Sequence, residues 1–185
     1  MSEEFDRVIS EIEQISEDAQ NTFGSYSAAQ INWKPSATEW SVGQCFDHLI
    51  KINSAYFPEF ESLVKGERKP KFWENYSPLS GFFGNLLYKN LSPKATRKLK
   101  APRLAEPSVS EVVPSIIEDF AQHQTELVDK IRQTANFEPK KIILTSPFAK
   151  FITYSFFDAY RIIATHERRH FEQAERIAKL ENFPK

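Results

Sequence analysis

Two histidines four residues apart, His166 and His170, stand in the stretch 159–177 near the end of the chain. At about 100° per residue of helix they lie about 40° apart, in line with Ala159, Ile162, Ile163, Ala174 and Ile177 on one apolar stripe. The pair therefore faces inward. Imidazoles one turn apart offer two ligands to one metal ion from a rigid surface, and a third from another helix closes three sides of a site. The chain has four histidines and one cysteine, so donors are few. His48 also falls on an inner stripe, with Gln44, Cys45, Ile52, Ala55 and Tyr56. Burying three imidazoles without a shared partner strands several ring nitrogens. One ion satisfies three of them and leaves positions for water or substrate, which is the catalytic rather than the structural pattern. Gln44, one turn before His48, and Gln173, one turn after His170, are placed to hydrogen-bond such ligands from behind. Helix capping and bundle-edge polarity account for these two equally well.

Other chemistry in these residues is weaker. The run His166-Glu167-Arg168-Arg169-His170 satisfies the H-E-x-x-H pattern of zinc proteases, where the glutamate is the general base. Gln173 and Arg176, however, stand where the extended motif needs glycine and histidine. The E-x-x-H inside it fits di-iron bundles, which require a second copy that the chain lacks. Glu167 points about 60° from His170 and 100° from His166, which makes it a candidate for proton transfer. An exposed ion pair with Arg168 or Arg169 is its plainer expectation. Cys45 reads as a small buried hydrophobe, since no cation is evident beside it. Trp33, Trp40 and Trp73 read as packing residues, and His123, about 60° off the stripe of its helix, as half-exposed.

Four helices must position these groups. Residues 3–23 carry Phe5, Val8, Ile9, Ile12, Ile15, Ala19 and Phe23 at helical spacing. Gly24, Ser25 and Ser27 end that helix, and residues 31–36 are too short and proline-broken for another. Ser41-Val42-Gly43-Gln44 is a capping box that opens the second helix, with Trp40 packing on Cys45 as a staple and Pro58 breaking the helix near Phe57. Residues 66–107 hold five prolines and the basic cluster Lys94, Arg97, Lys98, Lys100 and Arg103; they read as a long crossover that spans the molecule or rims an opening. Ser108-Val109-Ser110-Glu111 is a second capping box, predicting a third helix from Ser108 through Ile131. A short extended piece at 141–145 precedes a fourth helix over roughly 153–181.

The expected fold is all-α, a four-helix bundle. Heights along it set the order. His48 is about 10 Å into its helix and His166 and His170 about 20–26 Å into theirs, so the ligands come level only if the second and fourth helices are antiparallel. The topology is then up-down-down-up, with 66–107 making the crossing.

At 185 residues, 41% hydrophobic and 14% aromatic, the chain suits one compact domain. No charged leader or long apolar run opens it, and no stretch of 18 apolar residues occurs, which predicts a soluble cytoplasmic protein without membrane partners. Residues 1–20 are acidic and 66–103 basic, yet the net charge is −1 and no aromatic-interleaved basic motif appears. Nucleic acid is not an expected partner, and the basic segment reads as a solvated face.

The chain resembles the DinB-like superfamily of bundle metalloproteins, including YfiT-like and bacillithiol-transferase members. The resemblance is carried by Asn32-Trp33-Lys34-Pro35, Glu39-Trp40-Ser41-Val42-Gly43-Gln44, His48-Leu49, and His166-Glu167-Arg168-Arg169-His170 with Gln173-Ala174, and it covers most of residues 1–185 as one domain. It implies metal ligation by His48, His166 and His170. It also implies a metal-dependent thiol S-transferase or hydrolase acting on a small electrophile, with zinc or nickel ahead of iron or manganese and a low-molecular-weight thiol as a co-substrate. A metal-holding or dimerising module without turnover is the alternative, and a homodimer is left open. An open cleft above the histidines favours the enzyme; a sealed site favours the module.

Overall fold

The computed structural model describes residues 3–75, 77–95, 105–108 and 111–185. Helix α1 spans Glu3–Phe23 and buries Phe5, Val8, Ile9, Ile12, Ile15, Ala19 and Phe23, the stripe that its spacing predicts. Helix α3, Val42–Ser54, opens on the expected capping box: the Gln44 N–H donates to Ser41 Oγ and the Ser41 N–H to Gln44 Oε1, each at 3.1 Å. The helix stops at Ser54, and α4, Phe57–Val64, restarts with proline in its first turn, where a missing N–H costs nothing. Helix α7 covers Ile116–Thr134, and α8, Phe156–Ala178, begins where Ser155 Oγ accepts from the Asp158 N–H at 3.0 Å. The fold is all-α in character, with one small hairpin.

Side-chain contacts give the relative directions. His48 meets His170, Asn53 meets Glu167 and Phe60 meets Tyr160, so residue numbers rise along α3–α4 as they fall along α8. Phe46 with Phe120, Ser54 with His123 and Glu61 with Lys130 set α3–α4 parallel to α7. Glu13 with Arg132 and Gln20 with the Ile117 carbonyl set α1 antiparallel to α7.

Several expectations are corrected. Residues 28–32 do form a helix, α2 (Ala28–Asn32), because Ser27 and Gln30 make a capping box of their own. The third long helix begins at Ile116 rather than Ser108; Val109 and Ser110 lie outside the described residues, and Ser108 instead bonds to α3. The segment 66–107 carries α5 (Phe72–Asn75) and α6 (Ser80–Asn90), and α6 packs on α8. Of the basic cluster only Lys94, which is exposed, is described. The extended piece pairs: β1 (Ile143–Thr145) lies antiparallel to β2 (Thr153–Ser155), which takes the residues expected to start the last helix. Buried Glu74 anchors this hairpin, accepting from the Thr145 N–H at 2.9 Å and from Arg68 at 2.7 Å.

Two apolar clusters stack along the bundle. One joins Phe5, Ile12, Phe60, Leu127 and Tyr160. The other joins Ile15, Phe23, Phe46, Phe120 and Phe171. Between them, at the level of residues 48–53, 124 and 166–170, runs a layer of buried polar groups. Among the described residues no helix is long and apolar enough to cross a membrane.

Candidate metal centre

His48 on α3 and His166 and His170 on α8 are each at least nine-tenths buried, at 2%, 6% and 7% exposure. Their potential ligand atoms all lie within 4.8 Å of one another. The Nε2 atoms of His166 and His170 are 3.1 Å apart. Two nitrogens bound to one ion at about 2.0–2.1 Å and a tetrahedral angle stand roughly 3.3 Å apart, so this spacing suits a shared ion. His48 Nδ1 donates to the Ala105 carbonyl, which fixes the tautomer and leaves Nε2 its lone pair. Burial drives all three imidazoles toward the neutral form. His166 falls to about 3, aided by His48 and Arg169, and His170 falls well below its ordinary value. His48 is lowered less simply, because the Ala105 bond opposes the effect of burial. Neutral rings are the form that ligates, and the residues present fit a divalent ion.

The carbonyl behind His48 is itself held. Asp47 accepts from the Ser108 N–H at 2.7 Å, and Gln44 Nε2 donates to the Ser108 carbonyl at 2.7 Å. Together they dock residues 105–108 on α3. Gln44 thus acts through the backbone, with its carboxamide oxygen spent on the cap, rather than on an imidazole. Gln173 lies beside His170 and favours its charged form, yet His170 Nδ1 has no hydrogen-bond partner. Trp40 packs against the core cluster that includes Cys45, and its ring also stacks on His170 at 5.4 Å and tilts over His48 at 4.9 Å, capping the three histidines. A half-buried aromatic among polar neighbours carried no sign of this in the sequence.

Glu167 is neither exposed nor paired with an arginine, contrary to its plainer expectation. Its side chain is fully buried, and Oε1 accepts from Asn53 Nδ2 at 2.6 Å and from Gln124 Nε2 at 2.7 Å. Burial raises its carboxyl to about 8. Arg168 pairs instead with Asp18 on α1 at 2.7 Å, and Arg169 donates to the Asn90 and Ser92 carbonyls at the end of α6. Glu167 is buried because α1, α3 and α6 all pack on α8, which widens its buried arc and leaves exposure to residues such as Arg176. Gln124, a polar residue between Phe120 and Leu127 on the inner stripe of α7, was the signal that a buried polar partner was needed.

Cys45 is fully buried and its thiol is pushed up, as a small core residue would be. His123 is half-buried, bonded to Ser54 Oγ at 3.0 Å and stacked on Phe57, apart from the other three histidines. Trp33 packs edge-on against Phe183, and Trp73 donates to Thr145 Oγ1.

A cavity of about 1230 Å³ opens on the cluster. His48, His166 and His170 line it, with Trp40, Glu106 and Pro107 at one side and Leu87 of α6 and Leu91 just past its end at another. It reaches the surface past exposed Lys34, Thr38 and Glu39.

No curated protein and no solved structure matches the chain. The sequence profile of the DinB superfamily matches residues 3–174, a span that takes in all three histidines and every helix that positions them but for the last residues of α8. A metal-ready histidine triad set in an all-α fold, and matched over nearly its whole length, makes this chain a member of the DinB superfamily.

Proposed function

We propose that His48, His166 and His170 hold one divalent ion, zinc or nickel, and that the protein is a metal-dependent transferase or hydrolase acting on a small electrophile, with thiol transfer ahead of hydrolysis. The observation that carries this reading is the cavity: the three imidazoles line an opening wide enough for a small molecule, where a purely structural ion would be sealed. The resemblance to bacillithiol-transferase members puts a thiol co-substrate ahead of water. When bound, the ion supplies Lewis acidity, lowering the pKa of a thiol or a water, and neutral imidazoles leave its positive charge undiminished. The chain does the rest. Ala105 orients His48, Trp40 shields the His48 and His170 rings from water on one side, and burial keeps all three imidazoles neutral. Glu167 does not line the cavity, and we assign it a positioning part, holding α8 to α3 and α7 through Asn53 and Gln124. Buried Cys45 does not line the cavity either.

The test is to incubate metal-loaded protein with a panel of cellular thiols and a chlorinated nitrobenzene, and separately with model esters and amides, beside the His166→Ala variant. Conjugation or hydrolysis well above the variant's background is expected. Equal rates for both proteins with every thiol and metal would replace this reading with a binding module that does not turn over.

A further inference from the structure

The cavity is far larger than a metal site needs, and its two ends differ in chemistry. Among the described residues, the charged ones on its wall belong to the histidine end: Lys34 and Glu39 beside Trp40, Glu106 beside Ala105, and Arg169 and Arg176 on the turns of α8 around His170. The other end is walled by Ile52 of α3, Leu87 of α6, Phe148 and Ile152 of the hairpin, and Ile162 and Ile163 of α8. Among the described residues its ionisable groups are Tyr56 and Tyr154, whose hydroxyls bond to each other at 2.7 Å. Burial raises both phenols, so the pair stays neutral and adds no charge to that end. From Ile162 to His170 the unbroken helix α8 rises about 12 Å at 1.5 Å per residue. A charged group placed in the inner chamber would lose its hydration without a counter-ion, whereas an alkyl chain would bury apolar surface.

We infer that the substrate is an elongated amphiphile, its polar reactive end at the histidines and an unbranched apolar tail in the chamber between α3, α6, α8 and the hairpin. At roughly 1.3 Å per methylene, a zigzag of bonds near 1.5 Å, the ~12 Å from His170 to Ile162 takes a chain of about eight to ten atoms, the reacting end included. This rests on the proposed function for the identity of the reacting end; the tail chamber stands on its own walls. It also gives α6 and the hairpin a purpose, since neither supplies a metal ligand and both supply chamber wall.

Two probe series separate the parts. Linear 1-alcohols from four to fourteen carbons, read by the change in tryptophan and tyrosine fluorescence, test the chamber without any metal-binding head. Acetohydroxamate binding and metal content test the ion. Affinity for the alcohols should rise about three- to fourfold per methylene and level off at about eight to ten chain atoms. Leu87→Trp and Ile152→Trp, both at half-buried positions, should each move that plateau to shorter chains while metal content and acetohydroxamate binding stay unchanged. Alcohol affinity that does not grow with length, or a plateau that neither filling variant moves in a folded protein, overturns the chamber. Loss of the metal with the alcohol series intact overturns the proposed function and leaves the chamber standing.

Discussion

Each imidazole of the triad has a separate reason to be neutral and aimed. His48 is fixed by a backbone carbonyl, while His166 and His170 are set by one turn of α8 and kept uncharged by burial. Metal analysis of protein purified without a chelating column should find one ion per chain, and His48→Ala or His166→Ala should empty the site. His123→Ala should leave it full, and undiminished metal in the His48 variant would remove the assignment. His123 makes a different prediction. Burial lowers its pKa from 6.5 to about 4, so below pH 6.5 the unfolded chain takes up the proton first. Its share of stability is complete above pH 6.5 and is lost as pH falls toward 4. Wild type should therefore lose on the order of 2 kcal/mol more than His123→Phe over that range, allowing for partial exposure. Urea titrations at several pH values would read it, and parallel curves would refute it.

Among the elements, the short ones turn a bundle into a site. Residues 105–108 reach His48 because Asp47 and Gln44 grip Ser108. Asp47→Ala should free that segment and lower metal affinity on the order of tenfold, measured by competition with a chelating dye, while the fold persists. Helix α6 lies against α8 at Gly84, where an added Cβ would come within 2.7 Å of the Asp158 carboxyl group. That carboxyl is bound by Ser155 and Arg161 and cannot simply swing away. Gly84→Ala gains up to about 1 kcal/mol of helix propensity but meets about 1–3 kcal/mol of overpacking, so the clash wins. A Tm lowered by a few degrees with metal content retained is expected; a raised Tm would mean that α6 yields.

On the scale of the whole molecule, the triad lies in a polar layer between two apolar clusters, and an ion there ties α3 to α8 across it. Free metal at a hundredfold over Kd should stabilise by about 2.7 kcal/mol, which for a chain of this size is roughly 5–10 °C in Tm. Thermal melts with and without chelator would check it, and coincident melts would place the ion outside the folded core. The helical stripes, the capping box at Ser41 and the inward histidines were legible in the residues themselves, because helical periodicity and capping are local and repeat within a few positions. The superfamily was legible too, since its motifs are local runs. What the chain does not state locally is which surfaces meet. Glu167 is buried because three helices converge on α8, Trp40 covers imidazoles of two helices, and Ala105 serves His48 across 57 residues of sequence. The hairpin pairing and the apolar chamber likewise arise from segments that are distant along the chain. Sequence periodicity could say which side of each helix turns inward; only packing, in which every neighbour competes for the same surface, decides what that side touches.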